Sequence, residues 1–419
     1  MDRILDKMFK KFNTVEKSWI LYDVGNSAFT MMVSTLIPIL FYALATEGGL
    51  NETQYLANWS VAVSIATVIV ALLGPILGTI SDNKGMKKPM FMVALIVGVV
   101  GCILMGFVPS WLAYLILFVM TKVCYQASLV FYDSMLTDVT SEERMDLVSS
   151  QGYAWGYIGS CIPFILALLC YVAGDMLHII PSKIGFALGF LITGIWWLLV
   201  SVPLIKNYEQ KYYVENSEKI ASSFKRLGNT LSHIVQNEKK VFLFLLAFFF
   251  YIDGVYTIIS EAVAIGKTMG LDTIGLLVIL LLTQVVAFAF ATLFGKLSEK
   301  YESHKLIYVC IFGYFCVAIY ALFMKTLWQF GIMAFIVGMF QGAIQALSRS
   351  YYAQIIPKDN SGEYFGLYDI CGKGADFMGT MMIAIAMWAT DNVNIAVGTL
   401  SVLFIVGFLL LRKATSIEE

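Results

Sequence analysis

The chain is 419 residues long, 59% hydrophobic and 14% charged, with a mean hydropathy of +0.78. Soluble domains carry about 25% charged residues, so this composition excludes one and leaves a polytopic membrane protein. The formal net charge of −1 says little about partners, because the charge is segregated along the chain, and no nucleic-acid partner is expected.

The N-terminal arm is basic, but Asp2, Asp6 and Glu16 interrupt it, and it does not read as a cleavable signal. A membrane helix needs about 20 apolar residues. Runs of that kind fall near 18–45, 55–80, 88–107, 111–138, 148–173, 183–204, 240–265, 273–295, 305–324, 326–349, 363–389 and 393–411. The expected fold is therefore all-α, with twelve transmembrane helices in two six-helix halves, 1–205 and 240–419. A polar stretch at 206–239 joins them. Its apolar residues Phe224, Leu227, Leu231, Ile234 and Val235 are spaced by three and four, which suits an amphipathic helix on the membrane surface. A solvated tether fits almost as well.

All seven Cys (102, 124, 161, 170, 310, 316 and 371) lie in apolar runs without CxxC spacing, so neither a disulfide framework nor a metal site is expected. No GxxxxGK[ST], HExxH or GxSxG occurs, and His178, His233 and His304 fall in loops or the linker. The chain does not read as an enzyme, and no cofactor is called for.

One stretch occurs twice. Gly78-Thr-Ile-Ser-Asp-Asn-Lys-Gly-Met-Lys-Lys88 overlies Gly295-Lys-Leu-Ser-Glu-Lys-Tyr-Glu-Ser-His-Lys305 without a gap, and each copy is a polar turn between two apolar runs. A repeat placed alike in both halves is the build of many carriers. The pattern resembles the loop signature G-x-L-a-D-r-x-G-r-k of the major facilitator superfamily. The first copy fits at Gly78, Asp82, Gly85, Lys87 and Lys88, whereas the second has Glu299 for Asp and lacks the second Gly.

Orientation follows from Lys and Arg. With both termini cytoplasmic, the arm, the two repeat loops, Arg144, the linker, Arg349, Lys358 and the tail place 23 of the 28 on the inside. A multi-pass protein of the cell membrane is expected, working as a monomer in the bilayer.

Ionisable groups within spans are expensive and mark function. Here they concentrate in the first, fourth, seventh, tenth and eleventh runs. In the major facilitator fold the first four of these line the central cavity. Lys122, Gln126 and Asp133 form one stripe of the fourth helix, and Gln341, Gln345 and Arg349 form one of the tenth. Asp23, Asn26 and Thr30 share a face of the first, Asp253 lies mid-membrane in the seventh, and Asp369, Lys373 and Asp376 form an i, i+4, i+7 set in the eleventh. Tyr-Asp pairs recur at 22–23, 132–133 and 368–369. These patterns give a substrate site of Asn26, Lys122, Gln126, Gln341 and Gln345, with Lys122 holding a substrate anion. They also give a gate of Asp82, Asp133, Arg349, Asp369, Lys373 and Asp376. If coupling is to protons, Asp23 or Asp253 carries it.

A narrower likeness rests on Trp19-Ile-Leu-Tyr-Asp-Val-Gly-Asn-Ser-Ala-Phe29, Tyr251-Ile-Asp-Gly254, Gln341-Gly-Ala-Ile-Gln-Ala-Leu-Ser-Arg-Ser350, Ile356-Pro357, Glu363, Phe365-Gly-Leu-Tyr-Asp369 and Gly372-Lys373. These resemble motifs of the vacuole effluxer family, the autophagy-related branch of the major facilitators whose yeast members release amino acids from the vacuole. Gly25 stands where that family usually has Ala. The resemblance implies a secondary transporter that exports a small organic solute, an amino acid by analogy, by alternating access. The alternatives are a non-transporting receptor or scaffold on the same fold, or a carrier of sugars, peptides or lipids.

Overall fold

The computed structural model describes residues 11–215, 220–268 and 273–417, and the side chains of 373–377 and a few other short stretches lie outside the described set. The first span is two helices, α1 (Thr14–Val33) and α2 (Leu36–Glu47), separated by a turn at Ser34 and Thr35. Pro38 lies in the first turn of α2, where its missing N–H costs nothing. The reading of one continuous run at 18–45 did not foresee that break. There follow α3 (Glu52–Ser81), α4 (Lys87–Met105), α5 (Trp111–Ser134), the short α6 (Leu136–Val139), α7 (Glu142–Tyr171) and α8 (Ser182–Asn207). The linker helix α9 (Ile220–Asn237) comes next. The second half is α10 (Lys239–Thr268), α11 (Thr273–Leu297), α12 (Ser303–Ala321), α13 (Leu327–Ile355), α14 (Ser361–Thr390), α15 (Val393–Gly398) and α16 (Ser401–Thr415).

Eleven described segments are long and apolar enough to cross a membrane. The twelfth is α14, whose first half carries Glu363, Asp369, Lys373 and Asp376, leaving only Met378–Thr390 continuously apolar. At 30 residues it still reaches about 45 Å, ample for a core of about 30 Å. Helix starts follow local chemistry. Asn13, Asn51 and Thr326 each cap the third residue of their helix, and Glu16, Gln54 and Gln329 reach back in reciprocal capping boxes.

The two halves use the same packing plan. In the first, α1 lies on α7 and α8, and α5 on α3 and α4; in the second, α10 lies on α14 and α16, and α13 on α11 and α12. Across the halves α3 packs on α14, and α7 on α11 and α13. The α3–α14 crossing is backbone against backbone. A Cβ on Gly78 would stand 2.0 Å from the Gly362 carbonyl oxygen, so nothing larger than Gly fits.

The repeat turns differ for a reason that is visible in φ. Gly85 has φ +73°, the left-handed conformation that Gly adopts without cost. Glu302, which occupies that place in the second copy, has φ −59°. The second turn therefore needs no Gly there.

In α9, Ile234 is buried while Leu231 and Val235 are exposed. The side chains of Phe224 and Leu227 lie outside the described residues.

Candidate functional site

The polar contacts that join the halves cluster at the end of the bundle that carries both termini. At their centre is Arg349 of α13, only 2% exposed. Its Nη1 lies 2.9 Å from Asp133 Oδ1 of α5, and its Nη2 lies 3.3 Å from Asp23 Oδ2 of α1. Ser149 of α7 adds two acceptors, its hydroxyl to Nε at 2.9 Å and its carbonyl to Nη2 at 3.1 Å. The guanidinium also lies over the rings of Tyr153 (4.4 Å), Trp19 (4.6 Å) and Tyr132 (5.4 Å). A planar fork with several donors and an aromatic-compatible face is what Arg supplies and Lys does not. One side chain of the second half is thus held by three helices of the first.

The Trp19 motif is legible in these contacts. Trp19 donates Nε1–H to the Tyr132 carbonyl at 2.9 Å and stacks on its ring at 4.3 Å. Asp23 takes Arg349, and Asn26 Nδ2 steadies Asp23 Oδ1 at 3.2 Å. Tyr22 shares a hydrogen bond of 2.6 Å with Ser128 of α5. Its mate in the second half is Tyr251 of α10, which shares one of the same length with Ser348 of α13.

Around this centre lie two flanking contacts. On one side Asp82 ends α3 and accepts from the amides of Gly362 (2.7 Å) and Glu363 (2.9 Å), the first turn of α14, where unpaired N–H groups and the helix dipole favour an anion. The fully buried Lys87 reaches Ser361 Oγ at 2.9 Å, Asp138 Oδ2 at 3.4 Å and Asp82 Oδ1 at 3.9 Å. Asp138 is held further by Tyr208 at 2.6 Å and by the amides of Lys211 and Tyr212 at 3.0 and 2.9 Å. Burial, together with the carboxylate it donates to, pushes the Tyr208 hydroxyl well above its ordinary range, so it stays a donor.

On the other side the acid has changed place. Glu299, the counterpart of Asp82, is exposed, while Asp146 of α7 is buried and accepts from Ser303 of α12 and Ser350 of α13. Lys358 and Glu142 add a pair at 2.5 Å across the same seam.

Asp133 and Arg349, from the expected gate, therefore meet in one cluster with Asp23, and Asp82 lies in the flanking contact at α14. Asp369 is half-buried beside Gly74 of α3. Lys373 and Asp376 lie outside the described residues. Lys122 and Gln126 are half-buried on α5, with Lys122 Nζ 5.8 Å from the Phe118 ring and about three helical turns from Asp133 in the closed end. Gln345 donates to Tyr157 OH of α7 at 3.2 Å, whereas Gln341 opens into a small cleft between α10, α11 and α13. Asn26 is buried against Asp23. Asp253 is fully buried and staples α10 to α14, taking the Gly379 amide at 2.9 Å and the Thr257 hydroxyl at 3.2 Å. Sequence reasoning did not single out Lys87 and Asp138 for these contacts, nor Glu16, Arg144, Asp146 and Ser149. Glu16 accepts from Arg144 at 2.8 Å. The available signals were the place of Lys87 in the repeated loop and of Asp138 at the end of the fourth apolar run; Ser149 gave none.

The family profile described as "Vacuole effluxer Atg22 like" matches residues 14–415, nearly the whole chain. The chain belongs to the vacuole effluxer Atg22-like family. The MFS-type transporter YxiO of Bacillus subtilis (strain 168) is 43% identical over 410 residues, covering 96% of this chain and 95% of that protein. Autophagy-related protein 22 of Eremothecium gossypii is 23% identical over 460 residues, covering 94% and 89%. Among solved structures, the human organic anion transporter MFSD10 superposes with a TM-score of 0.71 at 14% identity, covering 95% of this chain and 99% of that one. The major facilitator transporter FucP in its outward conformation gives 0.70 at 14%, covering 96% and 98%. These two likenesses show the fold, twelve spans in two pseudo-symmetric halves. This Atg22-like chain is a multi-pass transporter of the major facilitator type.

Proposed function

We propose that the protein exports a small organic solute, an amino acid, by alternating access coupled to protons. The observation that carries this reading is the Arg349 cluster. It is a closed end made by one side chain of the second half on two carboxylates of the first, so it can part when the halves rock. With both termini on the cytoplasmic side of the cell membrane, as the Lys and Arg distribution implies, this conformation is closed to the cytoplasm and faces outward. Release of Arg349 frees Asp23, which then takes up the coupling proton; Asp253 is occupied in stapling two helices of one half and fits that task less well. Lys122 binds the substrate carboxylate, with Gln126, Gln341 and Gln345 as neutral partners. The resemblance to yeast effluxers that release amino acids supports the direction and the amino-acid class by analogy.

The test is flux in proteoliposomes preloaded with radiolabelled amino acids, with and without a pH gradient. Amino-acid efflux that rises with the gradient and falls in Asp23→Asn is expected. Efflux absent for every amino acid, with sugars or peptides moving instead, overturns the substrate class.

A further inference from the structure

At the end of the first half away from the termini lies a cleft of about 330 Å³ that the transport reading does not use. Leu40 and Leu44 of α2, Phe107 and Pro109 in the α4–α5 turn, and Ala187 and Leu191 of α8 form its walls. Its one ionisable lining group is Lys183. Phe107, Ile184 and Leu188 line it and are also 60, 49 and 38% exposed, so it opens sideways. In a membrane-spanning bundle, that opening faces acyl chains. Water would find few polar partners inside.

The rim lies where three spans end or begin, at Glu47, Met105 and Ser182, which is headgroup depth for a hydrocarbon core of about 30 Å. There Lys183 Nζ stands 3.2 Å from Glu47 Oε2, with the two side chains 75 and 58% exposed. An exposed pair of this kind contributes little to stability, so its partners exchange readily. Set side by side, an ammonium and a carboxylate complement a head that carries a phosphate and a primary ammonium in the opposite order.

We propose that this cleft is a phospholipid site specific for phosphatidylethanolamine. One acyl chain fills the cleft, the phosphodiester sits on Lys183, and the head ammonium donates to Glu47. A choline head cannot make the last contact, because its nitrogen has no N–H. A glycerol head offers Glu47 no cation.

Native mass spectrometry of the full chain in detergent, titrated in turn with dioleoyl phosphatidylethanolamine, phosphatidylcholine and phosphatidylglycerol, tests the site. The expected result is one retained phosphatidylethanolamine, bound at least fivefold more tightly than the other two. Ala187→Trp and Leu191→Trp, which fill the cleft from different positions, should each reduce retention at least tenfold at an unchanged melting temperature. Glu47→Gln should bring phosphatidylethanolamine down to the phosphatidylcholine level. Lys183→Gln should weaken all three several-fold. Equal binding of the three lipids by the parent overturns the headgroup assignment, as does a preference for phosphatidylglycerol. Undiminished retention in a folded filling variant overturns the cleft itself. Should both filling variants unfold, an unchanged lipid preference in Glu47→Gln, whose side chain is exposed, still decides against it.

Discussion

At the scale of residues, the closed end depends on Arg349. Removing one partner of a buried charge pair costs about 3–5 kcal/mol because the other charge stays buried and unpaired, and here two carboxylates, Asp23 and Asp133, would be left. Arg349→Gln should therefore expose the terminus-bearing end, read as faster thiol labelling of Ile370→Cys, a partly buried position next to Asp369 on α14, in a background without the native cysteines. Arg349→Lys should behave almost as badly, since an ammonium cannot serve both carboxylates, Ser149 and three ring faces at once. Labelling of Arg349→Lys at the parent rate would remove the fork from the explanation. Lys122 is argued from a different quantity. A hydrogen bond to a charged group is worth about 1.5–3 kcal/mol, so Lys122→Gln should weaken binding of a carboxylate-bearing substrate roughly 10- to 100-fold. Calorimetry that finds the affinity within twofold of the parent would return Lys122 to a packing role.

At the scale of elements, the end of α3 and the start of α14 form one unit. Asp82 satisfies two N–H groups of the α14 first turn; Asn keeps one acceptor oxygen, and losing the other hydrogen bond costs about 1 kcal/mol. Asp82→Asn should thus raise Ile370→Cys labelling less than Arg349→Gln does; the reverse order would mean that the helix cap, not the ion cluster, holds the end shut. Gly78→Ala should be more disruptive than Asp82→Asn, because the added methyl would lie 2.0 Å from the Gly362 carbonyl. Its signature is an open terminus-bearing end together with retained helix content by circular dichroism. The second flank achieves a similar union by other means. Asp146 contributes the carboxylate from α7, and hydroxyls of α12 and α13 donate to it. That transfer accounts for a second repeat loop that keeps Gly295 and Ser298 but exposes Glu299.

At the scale of the whole molecule, the proposed alternating access requires the halves to part at the seam described. Glu142 and Lys358 face each other across it at 2.5 Å. Cysteines at these two positions, bridged by a short bifunctional thiol reagent, should abolish transport, and reduction of a cleavable bridge should restore it. Transport that continues through the bridged protein would exclude separation at this end. The matching Tyr22–Ser128 and Tyr251–Ser348 contacts show the two halves solving one packing problem twice.

Much of this was legible in the chain. Apolar runs fix span number because each must cross about 30 Å of hydrocarbon, and the cost of buried charge confines ionisable residues to few places. For this reason Asp133 and Arg349 could be named as candidates from helical spacing, and Asp82 from the repeated loop, whose copies at Gly78 and Gly295 betrayed the two halves. Partnership was not legible. The Tyr-Asp pairing and the depth of Asp23 set it apart from Asp253 in mid-membrane, but no spacing shows that Asp23 meets Arg349 while Asp253 staples α10 to α14. Nor could spacing show Ser149 and Trp19 beneath the guanidinium, Lys87 joined to Asp138 and Ser361, or α14 crossing α3 at Gly78. Those contacts join residues as far apart as Trp19 and Arg349, 330 positions along the chain, and only tertiary packing brings them together.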